Sequence, residues 1–323
     1  MPTWAGNGFV DTGRTIFKTM VGTASAVHDA VFDSELTVAP GPGMNHMLAL
    51  KLKMYLNKFQ PPMNPFTHEY FSTWIYADFS SRIFIIGPWS QAEWSRFVKR
   101  FLTQCDMWNN KFWLIPPADF TALDVTTGGK KVRPNVYCNL NVQVQYSPAG
   151  AHRSITVVNM DAKSAARQGG KKETDVTSLD FRSDDSTYDS MDTAVGNVGL
   201  RDPSGNPQSK VRFYTIPHEI GHAIGQPHIG VIRKEPLCQM AILLDRLPGV
   251  NKSALPALFA GASNSLACYG DFASVPTSSN VMGGGDQFAV ENAQPWRDAL
   301  LRHTKARTAW TVSMSRVAPS PVK

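Results

Sequence analysis

The chain has 323 residues, of which 42% are hydrophobic and 18% charged, and a formal net charge of +6. It is long enough for one large core or two ordinary ones, and no run approaches the roughly 18 apolar residues a membrane span needs. The densest basic clusters, Lys130–Lys131 and the stretch 163–172, show no groove-reading or aromatic pattern, so a solvated basic surface is expected rather than nucleic-acid binding.

The first residues, Met1 to Asn7, show no basic segment followed by an apolar one. No Sec-type signal peptide is read there, and the expected location is the cytoplasm or a compartment reached by a non-Sec route. Residues 1–40 read as irregular. Leu48, Leu50, Leu52, Met54 and Leu56 then alternate with Lys51, Lys53 and Tyr55, a period of two that predicts a half-buried strand. Gln60 to Pro65 breaks it. Residues 1–75 are therefore expected to be a partly β N-terminal extension.

Arg82 to Gly87 predicts a short strand. Ser90 and Glu93 stand at capping-box spacing, and Trp94, Phe97, Val98, Phe101, Leu102 and Cys105 form a helical stripe that core packing explains. Val136 to Tyr146 is the clearest alternating strand, and Ser147 to Gly150 turns the chain toward another at Ser154 to Met160. Residues 161–175 are polar and predict an exposed loop. Asp180, Asp184, Asp185, Asp189 and Asp192 lack EF-hand spacing. A solvated acidic loop is favoured there over a calcium site. Near the end, Pro295 suits a first helical turn, with Trp296, Leu300, Leu301 and Thr304 on one face. Residues 313–323 form a tail, of which Arg316 to Lys323 reads as frayed. Four cysteines, Cys105, Cys138, Cys238 and Cys268, form no Cys-x-x-Cys pair. A Cys238–Cys268 bridge and free thiols are both open.

The chemistry is concentrated in His218-Glu219-Ile220-Gly221-His222-Ala223-Ile224-Gly225-Gln226-Pro227-His228. Residues four apart share a helix face, so His218 and His222 can present both imidazoles to one ion. Glu219 is placed to reach a water beside that ion as general base. Gly225 permits the left-handed turn that ends the helix, and Gln226-Pro227 delivers His228 as a third ligand. Three histidines and a water make a catalytic rather than a closed structural zinc site. From this composition the five fixed positions arise by chance on the order of 10⁻⁵ times per chain.

The string His218-Glu219-x-x-His222-x-x-Gly225-x-x-His228 resembles the full zinc signature of the metzincin clan of metallopeptidases. Asn280-Val281-Met282-Gly283 resembles that clan's methionine turn. The resemblance implies an α+β catalytic domain over 76–312, with a twisted, mixed sheet packed on an active-site helix and a C-terminal helix. It implies Zn2+ on His218, His222 and His228, catalytic Glu219, a hydrophobic base from Met282, and an edge strand that holds a protein or peptide substrate extended. Three features depart from the simplest pattern. Pro217 precedes His218, so the helix either begins there or is kinked. No tyrosine follows Met282 closely, so a tyrosine ligand is not supported. The segment 229–279 is long enough for an inserted subdomain.

The expected function is metal-assisted peptide hydrolysis. Its alternatives are a zinc-binding protein without turnover, and a peptidase delivered as a toxin or effector. His28, His46, His68, His152 and His303 stand alone in sequence and read as surface or satisfied core histidines.

Overall fold

The computed structural model describes residues 22–27, 31–39, 44–69, 74–77, 83–160, 187–201, 207–226, 279–305 and 310–322. The chain is α+β, with a mixed sheet and, among the described residues, three α-helices. Its organising strand is β3 (His46–Lys58). Leu48, Leu50, Leu52, Met54 and Leu56 are buried and Lys51, Lys53 and Tyr55 are half-buried, which is the alternation that the apolar period dictates.

One edge of β3 is taken by β9 (Val136–Gln145), parallel, over His46 to Tyr55. The other edge is shared. β2 (Asp33–Val38) pairs antiparallel with Met47 to Lys51, and β10 (Arg153–Met160) pairs parallel with Met54 to Lys58. The chain thus leaves β9 at the level of Tyr55 and crosses to the far edge of β3. There it resumes in the same direction as β10. β1 (Gly22–Val27) extends the sheet beyond β2, and β10 passes it to β5 (Ile83–Gly87), β4 (Trp74–Ala77) and the three-residue β11 (Thr187–Asp189). β6 (Trp113–Ile115) and β14 (Thr311–Ser313) complete the sheet beyond β9.

Two expectations need correction. Residues 22–27 and 33–38, within the stretch read as irregular, are paired strands. Their pattern is weak because they are stabilised from outside. Phe32 and Leu36 are buried against β3, Lys53 Nζ bonds Asp33 Oδ2 at 2.6 Å, and Lys51 pairs with Glu35. Within residues 1–75, expected to be a partly β extension, β3 lies between β9 and β10. The tail is not frayed either. β15 (Ser320–Pro321) pairs with β8 (Lys130–Arg133), itself paired with β7 (Val125–Thr127), and Asn135 Nδ2 donates to the carbonyls of Val317 and Ala318.

α1 (Gln91–Cys105) starts on the expected capping box. Glu93 N donates to Ser90 Oγ at 3.2 Å and Ser90 N donates to Glu93 Oε2 at 2.9 Å. Its Phe97, Phe101 and Cys105 are buried, and it touches β9 and α2 (Thr215–Ala223). α3 (Gln294–Thr304) covers β1, β2 and β3. Cys105 and Cys138 are free and buried. The loop expected at 161–175, the expected insertion at 229–279, and Cys238 and Cys268 lie outside the described residues.

Candidate active site

β12 (Gly196–Arg201) and β13 (Pro207–Phe213) form an antiparallel pair that runs directly into α2. The helix begins at Thr215, so Pro217 sits in its first turn. A backbone N–H is unsatisfied there in any helix, and proline costs nothing by lacking one. The Pro217 carbonyl accepts from Trp108 Nε1 at 3.0 Å. The other end is a Schellman cap. Gln226 N donates to Gly221 O at 2.8 Å, Gly225 N donates to His222 O at 2.9 Å, and Gly225 has φ +91°. The left-handed turn expected at Gly225 is present.

Four residues apart, His218 and His222 bring their rings together, with centroids 4.8 Å apart. His218 is buried and His222 half-buried. Each ring is fixed at Nδ1 by a backbone carbonyl, His218 by Val281 O at 2.8 Å and His222 by Gln226 O at 2.8 Å. A carbonyl only accepts, so both Nδ1 atoms carry the hydrogen and both Nε2 atoms carry a lone pair. These two lone-pair nitrogens stand 3.2 Å apart. In the neutral rings with these tautomers neither donates to the other, and the two acceptor nitrogens face one another. Burial, and next the proximity of His222, push His218 down to about 3 against the raising effect of the Val281 bond. The ring is therefore neutral at physiological pH.

The residues fit zinc. Two nitrogens each about 2.0–2.1 Å from a tetrahedral zinc lie about 3.3–3.4 Å apart, close to the separation present here. Bonding of Nδ1 to a carbonyl is also how metal-ligating histidines are commonly oriented. His228, the expected third ligand, lies outside the described residues. Among the described residues no group of three His, Cys, Asp or Glu side chains is placed to hold a metal. Glu219, the expected general base, follows His218 on α2 and is half-buried.

Beneath the helix, Met282 is fully buried against Gly221. A Cβ on Gly221 would lie 2.1 Å from Met282 Sδ and 3.0 Å from Trp108 Cζ2, so only glycine lets the methionine turn approach this closely. The turn is built by buried amides. Asn280 Oδ1 accepts from Met282 N at 2.8 Å, and Asn280 Nδ2 donates to Asn292 Oδ1 at 2.9 Å. Asn292 Oδ1 also accepts from Ala289 N at 2.9 Å, and its carbonyl accepts from Gln226 Nε2 at 3.1 Å. The carbonyls that orient both histidines therefore belong to one connected frame. Sequence reasoning missed Gly221, Gln226, Asn292 and the orienting role of the Val281 carbonyl. Only the resemblance of Asn280-Val281-Met282-Gly283 to a methionine turn pointed here.

No family profile, curated protein or solved structure matches this chain.

The remaining candidates separate from this site. His46 is a satisfied core histidine, with Nδ1 accepting from Ala39 N and Nε2 donating to Leu123 O, both at 2.7 Å. His152 Nδ1 accepts from Lys53 N at 2.9 Å, and His303 Nε2 bonds Ser34 Oγ at 3.0 Å. His68 is exposed, and His28 is outside the described residues. Asp189 and Asp192 correct the expectation of a solvated acidic loop, because both are fully buried. Asp189 Oδ1 accepts from Met191 N at 2.5 Å and Asp192 Oδ2 accepts from Asp189 N at 2.7 Å. These local backbone bonds allow the carboxylates inside. Burial, followed by the charge of Asp192, pushes the Asp189 carboxyl well up. Asp180, Asp184 and Asp185 lie outside the described residues.

Proposed function

We propose that the protein is a zinc-dependent endopeptidase whose metal is held by His218, His222 and His228. The observation that carries this reading is the pair of Nε2 lone pairs 3.2 Å apart, with both Nδ1 atoms committed to carbonyls. A structural histidine pair would gain by using one ring as donor to the other. Here the carbonyls of Val281 and Gln226 prevent it.

When bound, zinc supplies Lewis acidity toward a scissile carbonyl and lowers the pKa of an attacking water. The chain's own residues do the rest. A carboxylate oxygen of Glu219 takes a proton from the water as its oxygen bonds to the carbonyl carbon. The same carboxyl then gives that proton to the amide nitrogen as the C–N bond breaks. Buried Met282 gives the helix a dry floor at Gly221, and His222 is half-buried.

Digestion of a denatured protein by the purified chain tests this. Glu219→Gln should retain zinc and lower the cleavage rate by about 10²–10⁴-fold. Cleavage at the wild-type rate by Glu219→Gln would remove Glu219 as base, and a wild-type chain that binds zinc but cleaves nothing would remove the peptidase reading.

A further inference from the structure

α1 has a side that the zinc site does not use. Arg96, Lys99 and Arg100 are exposed and follow a spacing that puts them on one face. Like charges three and four residues apart oppose helix formation. Even so, none of the three takes part in an ion pair among the described residues. The three cations border a cavity of about 630 Å³ whose lining also includes Thr193, Val195 and Tyr214, and no acidic side chain among the described residues lines it.

The lining distinguishes a peptide from a small anion. Gln104, at the cavity wall, donates from Nε2 to Thr193 O at 2.9 Å. Its Oε1 is buried with no hydrogen-bond partner among the described residues. A cavity of about 630 Å³ is larger than a phosphate or sulfate fills, and linked carboxylates can span it. Val195 is 48% exposed and offers apolar surface for a side-chain stem. Three cations and an exposed apolar residue around one cavity match an extended segment rich in carboxylates.

We propose that this cavity docks an acidic peptide segment carrying two or more carboxylates. Such a segment would lie at one end of the β12–β13 pair, where Gly196 pairs with Phe213, since Val195 immediately precedes β12 and Tyr214 joins β13 to α2. Docking of this kind does not depend on zinc or on turnover.

The test is fluorescence anisotropy of a labelled hexaglutamate peptide with the full chain, beside a hexaglutamine control. Saturable binding of hexaglutamate alone, weakening as salt screens the contact, is expected. The triple variant Arg96→Gln, Lys99→Gln, Arg100→Gln should bind roughly tenfold or more weakly. These side chains are exposed, so the fold should be kept. Lys130→Gln with Arg316→Gln, which removes exposed charge elsewhere, should bind as the wild type does. Absence of saturable binding, or equal weakening in both variants, would overturn the proposal. So would inorganic pyrophosphate binding the cavity as tightly as the peptide.

Discussion

His46 and His218 are both buried histidines, 1% and 4% exposed, and their ring nitrogens are used in different ways. At His46 one nitrogen accepts a backbone N–H and the other donates to a backbone carbonyl. The ring is consumed by the fold. At His218 and His222 both donor positions go to carbonyls and both acceptor positions converge. Burial lowers the pKa at both His46 and His218. Perturbed titration alone therefore does not separate the two environments, and the direction of the ring nitrogens does.

The contrast breaks first at the histidines themselves. His218→Gln and His222→Gln should each abolish stoichiometric zinc binding and cleavage, read by metal analysis and digestion. Next is the frame that aims them. Asn280→Ala should weaken zinc binding by about 10–100-fold, measured by competition with a chelator. An unchanged affinity would mean that the turn positions nothing. His46→Leu should do the opposite. It strands Ala39 N and Leu123 O at about 1–3 kcal/mol each, lowering the unfolding midpoint while zinc content stays at the wild-type level. Gly221→Ala overpacks Met282 and should cost about 1–3 kcal/mol in chemical denaturation. A neutral result there would show the floor to be adjustable.

The smallest effect is in pH. Burial lowers the His46 pKa, so folded protein binds a proton less readily than unfolded chain does. The stability it contributes is present above the unfolded value near 6.5 and is lost as pH falls below it. Thermal midpoints of the wild type should therefore drop more steeply below that pH than those of His46→Leu. Parallel curves would remove His46 from the acid sensitivity.

The difference between the two histidine environments also explains what the sequence made legible. The α2 motif is local: its ligand spacing, Gly225 turn and first-turn proline obey helix geometry, and all three are readable within eleven residues. The strand at Leu48 to Leu56 and the Ser90 capping box are local in the same sense. The partners that aim the rings are not. Val281 lies 63 residues from His218, and Asn292 lies 66 from Gln226, so no window of sequence contains both. β2 escaped for a related reason, since its order comes from Leu36 and the Asp33 and Glu35 pairs with a strand whose first residue, His46, is several residues further on. Asp189 and Asp192 looked solvated because composition does not show a turn whose own N–H groups hold carboxylates inside.

Metal analysis of the purified chain tests the central claim most directly. Wild type and His46→Leu should each carry one zinc per chain, and His218→Gln none. A wild-type chain without zinc, or a His218→Gln chain that keeps it, would contradict the assignment of the converging histidine pair.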